Sequence, residues 1–250
     1  MKQKPKIVTI FIAYNAAKTL QKFYQDFPQN LMDDIILVDD ASKDNTFKLA
    51  KELHITSFKN PINLGYGGNM KRALDIALKR GADIIIDIHP DGEYKPSAIP
   101  HAIKEMRSGA EFVLGNRFTG LAKPLRSGMY FWKWIPIRIL NQIDKIILGI
   151  NLDDFHQGFR VYTKKMLKKI DYHLNSSNYL FSFELIAQAV YQNIKITQVP
   201  VETSYTGKKR GASLENSVKY SLGTFKILWL FILAKLGFKI RLFQKPSQNI

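Results

Sequence analysis

Residues 34–44 read Asp-Ile-Ile-Leu-Val-Asp-Asp-Ala-Ser-Lys-Asp, an apolar, β-rich run that ends on two adjacent carboxylates and a polar turn. Apolar residues at successive positions suit a strand covered on both faces, as in a parallel sheet, rather than a half-exposed one. The plan recurs on either side. Lys6–Ala13 (KIVTIFIA), Ile55–Lys59 and Asp83–Ile88 are further strands, and Ala16–Asp26, Asp44–Leu53 and Tyr66–Arg80 between them read as helices. A helix near Pro96–Arg107 and a fifth strand at Glu111–Leu114 extend the series. Strand–helix alternation implies right-handed βαβ units, so the predicted class is α/β: a mostly parallel central sheet with helices on both faces.

From Gly120 the rhythm breaks. Gly128–Ile150 is rich in aromatic and aliphatic residues with Lys133, Arg138 and Lys145 spaced through it, which predicts one amphipathic helix or a pair. Strands at Phe159–Tyr162 and Ile194–Val201 enclose a helix at Phe181–Gln192. In Ser221–Phe238 the apolar run is interrupted by Lys226 and Lys235, so an interfacial helix is the expectation rather than a membrane span, which wants about 20 mostly apolar residues. The domain reading is a catalytic unit over 1–215 and an amphipathic, basic helical tail over 216–250. Met1–Lys6 leads into an apolar run too short for a secretory signal, and the expected location is cytoplasmic, peripheral at the cytoplasmic face of a membrane.

The 250 residues carry 37 Lys and Arg against 21 Asp and Glu, a net +16, and no cysteine. The missing thiols exclude disulfides, thiolate metal sites and a cysteine nucleophile. The charge is uneven: residues 1–100 hold 14 basic and 12 acidic side chains, 101–200 hold 14 and 7, and 201–250 hold 9 and 2. A nucleic-acid-binding reading of this surplus finds no zinc pattern, RNP motif or basic zipper, so nucleic acid is not an expected partner.

In open α/β sheets ligands sit beyond the carboxyl ends of the strands. The loops there are Tyr14-Asn15, Asp39–Asp44, Asn63–Asn69 and His89–Glu93. Asp39 and Asp40 end a buried strand, where a carboxylate needs a partner such as a ribose or a base N–H. Asp44 is better placed to cap the following helix, and Asp39 to hold a ligand. Gly65, Gly67 and Gly68 open a helix carrying Lys71 and Arg72, where backbone amides and a lysine can approach an anion. The pattern is neither the phosphate loop of ATPases nor the dinucleotide fingerprint. His89, Asp91 and Glu93 stand at i, i+2 and i+4, and share a face if the segment is extended. Asp91 and Glu93 suit a hard divalent cation; His89 is the softer ligand or bonds locally.

Taken in order, these pieces resemble family-2 glycosyltransferases of the GT-A fold, in the branch similar to dolichol-phosphate and polyprenyl-phosphate sugar synthases. The matching stretches are Ile12–Asn15, Val38–Thr46, Asn63–Gly68, Asp91–Pro96, Gly115–Phe118, Gln157–Arg160 and Val199–Val201, spread over roughly residues 6–215. The resemblance implies an inverting transfer of a sugar from a UDP- or GDP-sugar to a polyprenyl or dolichyl phosphate or a glycan. It implies that Ala13, Tyr14, Asn15, Asp39 and Asp40 hold the nucleoside, that the loop with Asn63, Gly65 and Gly67 closes on the nucleotide, and that Lys71 lies close by. It implies Mg2+ or Mn2+ at Asp91 and Glu93, with His89 at the first position of the Asp-x-Asp element. Arg117 and Lys208-Lys209-Arg210 match phosphate-binding positions, with Arg126 beside them. Asp153 or Asp154 is the candidate general base for a hydroxyl acceptor, Asp154 being preferred; a lipid phosphate is already ionised and needs none. Three positions depart from the pattern: Ile12 for a proline, Ala16 for a glutamate and His89 for an aspartate. The last supports an alternative in which the protein is a catalytically weak or inactive nucleotide-sugar-binding, membrane-associated regulator.

Overall fold

The computed structural model describes residues 4–119, 125, 127–205 and 214–246. Seven strands form one sheet: β1 (Ile7–Ala13), β2 (Asp34–Asp39), β3 (Thr56–Lys59), β4 (Ile84–Asp87), β5 (Phe112–Asn116), β6 (Arg160–Thr163) and β7 (Ile196–Pro200), in the order β3-β2-β1-β4-β6-β5-β7. β6 runs antiparallel to β4 and β5, and the other pairs are parallel. The helices are α1 (Ala17–Gln25), α2 (Thr46–Glu52), α3 (Gly65–Lys79), α4 (Ile99–Arg107), α5 (Phe131–Leu148), the short α6 (Lys164–Leu167), α7 (Phe181–Tyr191) and α8 (Leu214–Lys235).

The two-residue strand period divides the apolar runs between two cores. Ile10, Val38, Ile85 and Phe112 face α3, α7 and α8, while Phe11, Leu37, Ile86 and Val113 face α1 and α4. Phe11 meets Phe23 and Phe27 edge-on at 5.4 and 5.1 Å. At about 1.5–3 kcal/mol for each fully buried large apolar side chain, these two layers hold the sheet between the helices. The expected α/β sheet with helices on both faces is present.

Orientation of β6 is what the pattern of apolar runs does not disclose. Because it runs backwards, its first residue, Arg160, lies opposite Asp87 at the carboxyl end of β4. The loop that precedes β6 therefore joins the ligand-side rim along with the loops that follow β1, β2 and β4.

Gly128–Ile150 resolves into the single helix α5, with Pro136 inside it. Its buried face mixes apolar Leu140 and Leu148 with polar side chains. Asn141 and Asp144 are buried, whereas Phe131, Trp132, Ile139 and Ile146 are exposed, the last by 77%. α8 starts earlier than the apolar run of Ser221–Phe238 and is long and apolar enough over Glu215–Lys235 to cross a membrane by length and composition. One face of it, with Ile227, Leu228, Phe231 and Ala234, is buried in the same core as α3 and α7. The other carries exposed Leu222, Trp229 and Leu236. Phe243, beyond the helix, packs on Tyr191 and Phe231 and ties the end of the described chain to that core.

Candidate active site

The β1 and β2 loops are clasped together by their own polar groups. Asn15 and Ala41 both adopt left-handed backbone (φ 53° and 58°). The Asn15 amide donates to the Ser42 hydroxyl oxygen at 2.8 Å, and Asn15 Oδ1 accepts from the Lys43 amide at 2.9 Å. Ser42 in turn donates its hydroxyl to Asp39 Oδ1, and Lys59 Nζ lies 3.9 Å from Asp39 Oδ2. Asp39 is fully buried; burial pushes its carboxyl up more strongly than Ser42 and Lys59 pull it down. Asp44 accepts from the amides of Thr46 (3.0 Å) and Ala17 (3.1 Å), so it holds the starts of α2 and α1. Burial raises its carboxyl, but the Thr46 hydroxyl and these amides outweigh that and hold it below its ordinary value. Ala13 is buried and Tyr14 is half exposed.

Asp40 recruits the third loop. Its Oδ1 accepts from Asn60 Nδ2 at 2.7 Å and from the Leu64 amide at 2.8 Å, and Asn63 donates to its carbonyl. Asn60 and Asn69 bond to one another and Asn69 returns to the Val38 carbonyl, a buried chain of amides under the rim. Both acids expected to grip a nucleoside are thus engaged within the chain, at the point where three loops meet.

The glycine-rich segment is shaped by a close neighbour. A Cβ on Gly67 stands 2.1 Å from the Ser176 carbonyl oxygen, and one on Gly65, itself at φ +76°, stands 2.6 Å from that of Ser177. The Gly67 and Gly68 amides donate to the Ser177 carbonyl at 2.8 and 3.4 Å. Lys71 donates to the Asn175 carbonyl, and burial pulls its ammonium down. The donors expected to cradle an anion here are occupied by the 175–177 backbone. The glycines serve that close approach.

His89, Asp91 and Glu93 do not converge. His89 Nε2 turns to Asp87 Oδ1 at 3.5 Å, and Asp91 Oδ1 accepts from the Glu93 amide at 2.9 Å. The Glu93 carbonyl accepts from the Ser204 amide, and its carboxyl is pushed up by burial against the pull of Arg117. Among the described residues no three His, Asp or Glu gather closely enough to hold a metal ion. The three therefore do not fit Mg2+ or Mn2+ as a set, which corrects the expectation of a three-ligand site. The imidazole is turned toward buried Asp87 without a hydrogen bond, its Nε2 being left unpartnered, and Asp91 is the exposed carboxylate.

The preferred base is also corrected. Arg117 Nε donates to Asp154 Oδ2 at 2.7 Å and Nη2 to Oδ1 at 2.8 Å, with the Arg117 amide on Oδ2 as well. Asp154 is fully buried, so its carboxylate is a brace for Arg117 and cannot reach an acceptor hydroxyl. Arg117 also donates to Tyr205 Oη and the His156 carbonyl. Burial opposes its charge, yet Asp154 outweighs burial and the guanidinium is held well above its ordinary value. Phe118 lies between Arg117 and Arg138, at 5.6 and 5.1 Å from the two guanidinium carbons. Asp153, by contrast, keeps 43% of its side chain exposed. Arg126 and Lys208-Lys209-Arg210 lie outside the described residues.

Sequence reading assigned no role to the centre beneath this rim. Arg160 is 3% exposed, 3.8 Å from Asp87 Oδ2 and 3.2 Å from Tyr66 Oη, while Tyr162 Oη donates to Asp87 at 3.0 Å. Tyr66 also bonds Ser182 and meets the rings of His89 and Tyr179 at 5.5 and 5.1 Å. The available signal was an arginine set between Phe159 and Val161 in an otherwise apolar strand, since a buried charge demands partners.

Against this geometry, the family model described as "Glycosyl transferase family 2" matches residues 9–171. The UDP-N-acetylglucosamine–dolichyl-phosphate N-acetylglucosaminyltransferase of Methanococcus voltae is 28% identical over 92% of this chain and 96% of its own length. The undecaprenyl-phosphate mannosyltransferase of Micrococcus luteus is 25% identical over 93% and 99%. Glucosyl-3-phosphoglycerate synthase of Mycobacterium tuberculosis, crystallised with Mn2+, UDP-glucose and phosphoglyceric acid, superposes with a TM-score of 0.67 over 95% of this chain and 81% of that chain, at 17% identity. At that identity the likeness speaks for a shared fold.

Proposed function

The chain belongs to glycosyl transferase family 2, and from that membership we propose that it moves a sugar, with inversion, from a UDP- or GDP-sugar to a polyprenyl or dolichyl phosphate. That it is a glycosyltransferase follows from the family. The finer reading leans on two relatives that are named for lipid-phosphate acceptors and align over nearly their whole lengths.

The observation that carries the acceptor class is the Arg117–Asp154 pair. A hydroxyl acceptor needs a base to remove its proton; Asp154, the preferred candidate, is buried and bonded through both oxygens, and Asp153 accepts from Asn116 and Gln198 and lies 3.8 Å from Lys145. A phosphate monoester brings its own anionic oxygen. That oxygen attacks the anomeric carbon, the bond from that carbon to the nucleoside diphosphate breaks, and the diphosphate leaves with the electron pair. Arg138, beside the Arg117–Asp154 pair across Phe118, supplies positive charge for a site where two anions meet, and Arg117, its charge balanced by Asp154, supplies fixed donor dipoles. Tyr14, Asn15 and the loops braced by Asp39, Asp40, Asn63, Gly65 and Gly67 form the donor side. We assign Asp91 alone to a Mg2+ or Mn2+ completed by diphosphate and water, because hard cations accept few protein ligands when phosphate is present. A protein sharing this fold was crystallised with Mn2+ and UDP-glucose, which accords with a divalent cation in the reaction.

The exposed apolar side chains of α5 and α8, interspersed with Lys133, Arg138, Lys145, Lys226 and Lys235, support peripheral seating on an anionic membrane, at the cytoplasmic face in this reading. The deciding experiment incubates the full chain with UDP-N-acetylglucosamine, UDP-glucose or GDP-mannose, Mn2+, and undecaprenyl phosphate in phosphatidylglycerol vesicles. One donor is expected to give a phosphate-linked, organic-soluble sugar. Transfer only to hydroxyl acceptors, or only to water, would sink the proposal.

A further inference from the structure

His156 sits where α5 and α8 meet the loop that builds the Arg117 site. Its Nε2 lies 2.7 Å from Asp144 Oδ2 on α5, and its Nδ1 lies 2.9 Å from Tyr220 Oη on α8. The ring stacks on Phe183 at 5.5 Å, and only 4% of the side chain is exposed. α5 grips the same loop a second time, through Asn141 Oδ1 and the Phe155 amide at 2.9 Å. On the other side of that loop are the groups that hold Arg117: the Asp154 carboxylate, and the carbonyl of His156 itself at 2.8 Å.

Burying an acid, an imidazole and a phenol side by side costs desolvation that an apolar trio of the same volume avoids. Here the cost is not fully recovered, since Asp144 Oδ1 has no hydrogen-bond partner. The polar atoms of the trio that bond are spent on one another. What the trio provides is direction, because hydrogen bonds fix the position of the 153–157 loop against two helices in a way that apolar packing does not. Those are the two helices that carry exposed aromatic and aliphatic side chains.

We propose that His156 is a positioning residue for Arg117, and that through Asp144 and Tyr220 it makes the Arg117 site depend on how α5 and α8 are seated on a lipid surface. The inference rests on the lipid-phosphate reading above. Phosphatidylglycerol vesicles bound at the outer faces of α5 and α8 steady the helix pair, His156 passes that order to its own carbonyl and to Asp154, and Arg117 becomes fixed when the acceptor's surface is present.

The test measures backbone amide exchange over residues 153–158 and 115–118 in the full chain, with and without phosphatidylglycerol vesicles, alongside vesicle sedimentation. In the wild type, bound vesicles are expected to slow exchange in both segments at least fivefold. Tyr220→Phe removes one hydroxyl and is expected to sediment equally well while the slowing falls below twofold. His156→Leu is expected to behave likewise, and His156→Gln, which retains a donor and an acceptor, to restore part of the slowing. A residue that serves only structure would change exchange equally with and without vesicles. Binding with no change of exchange in the wild type, or full slowing in Tyr220→Phe, overturns the coupling and leaves the lipid-phosphate reading standing. Failure of the wild type to sediment with vesicles overturns the membrane seating and the coupling with it.

Discussion

Arg117 and Asp154 meet as a doubly bonded pair, Nε to Oδ2 at 2.7 Å and Nη2 to Oδ1 at 2.8 Å, with Arg117 only 6% exposed and Asp154 not at all. Removing one partner leaves an uncompensated buried charge, which costs about 3–5 kcal/mol. Asp154→Ala is therefore expected to lower the urea midpoint strongly, whereas Asp153→Ala, at a half-exposed carboxylate, is expected to change stability by about 1 kcal/mol or less. Equal, small effects on stability with loss of turnover in Asp154→Ala alone would restore Asp154 as a base.

Gly67 is required by space. Its Cβ position lies 2.1 Å from the Ser176 carbonyl oxygen and 2.8 Å from Phe181 Cβ, both fixed parts of the packed loop and helix. Gly67→Ala is expected to cost about 1–3 kcal/mol or more through overpacking. Gly81→Ala faces open space and is strained only by φ +84°, a cost of about 1–2 kcal/mol. Amide exchange separates the two: Gly67→Ala is expected to expose the 175–178 backbone, and Gly81→Ala to leave it protected.

The sheet and most of its elements were legible because apolar period and turn residues report local structure directly. Strands β1, β2 and β4 lie within two residues of where their apolar runs place them. The rim loops were legible too, as polar or glycine-rich stretches after each strand. What a linear reading could not supply was pairing across distance. Asp154 looks like a free carboxylate until Arg117, 37 positions earlier, is placed on it. Lys71 looks like a phosphate ligand until the 175–177 backbone arrives. The His156 trio joins three segments, and nothing local in any of them marks it.

His89 and Asp91 differ in setting. His89 Nε2 is turned to Asp87 and stands beside the Tyr66 ring, while Asp91 is exposed. With UDP as probe, Mn2+ is expected to raise the melting temperature beyond UDP alone, since a ligand bound only by the native state stabilises it by mass action. Asp91→Ala is expected to abolish the Mn2+ increment, and His89→Ala to retain most of it. Loss of the increment in both would make His89 a ligand.

Acid sensitivity has a located source at Glu111. Burial pushes its carboxyl up, but the ammonium of Lys165 at 2.9 Å, that of Lys169 at 3.2 Å and the Lys195 amide outweigh burial and hold it below its ordinary value. A depressed carboxyl contributes stability that is complete above its unfolded value, about 4.3, and is lost as pH falls through the folded value. Lys165 is 72% exposed, so the contribution is screened to about 0.5–1 kcal/mol. Glu111→Gln is expected to be less stable than wild type at pH 7 and indistinguishable from it near pH 3, with the gap at pH 7 shrinking in high salt. A gap that persists at pH 3 would assign the effect to packing.

α5 offers the sharpest test of membrane seating because its exposed apolar residues contribute little to the fold. Phe131 and Trp132 are 62% and 48% exposed, and Ile139 and Ile146 are 57% and 77% exposed. An ordinary surface helix turns such residues inward and its Asn and Asp outward, whereas here Asn141 and Asp144 are buried beside Leu140 and Leu148 while these four stay outside. Each large apolar side chain that enters the acyl boundary gains about 1.5–3 kcal/mol when fully buried, and each nearby cation about 1 kcal/mol against an anionic surface. Ile139→Glu/Ile146→Glu is therefore expected to weaken sedimentation with phosphatidylglycerol vesicles at least tenfold, because it exchanges apolar contact for repelled charge. Its melting temperature should stay within a degree or two of wild type, since neither side chain is buried. Wild-type binding should fall in phosphatidylcholine vesicles and in high salt, as screening removes the cationic share. If the double variant instead unfolds early, those isoleucines pack on a surface of the protein itself, and the apolar outer face of α5 has a structural cause.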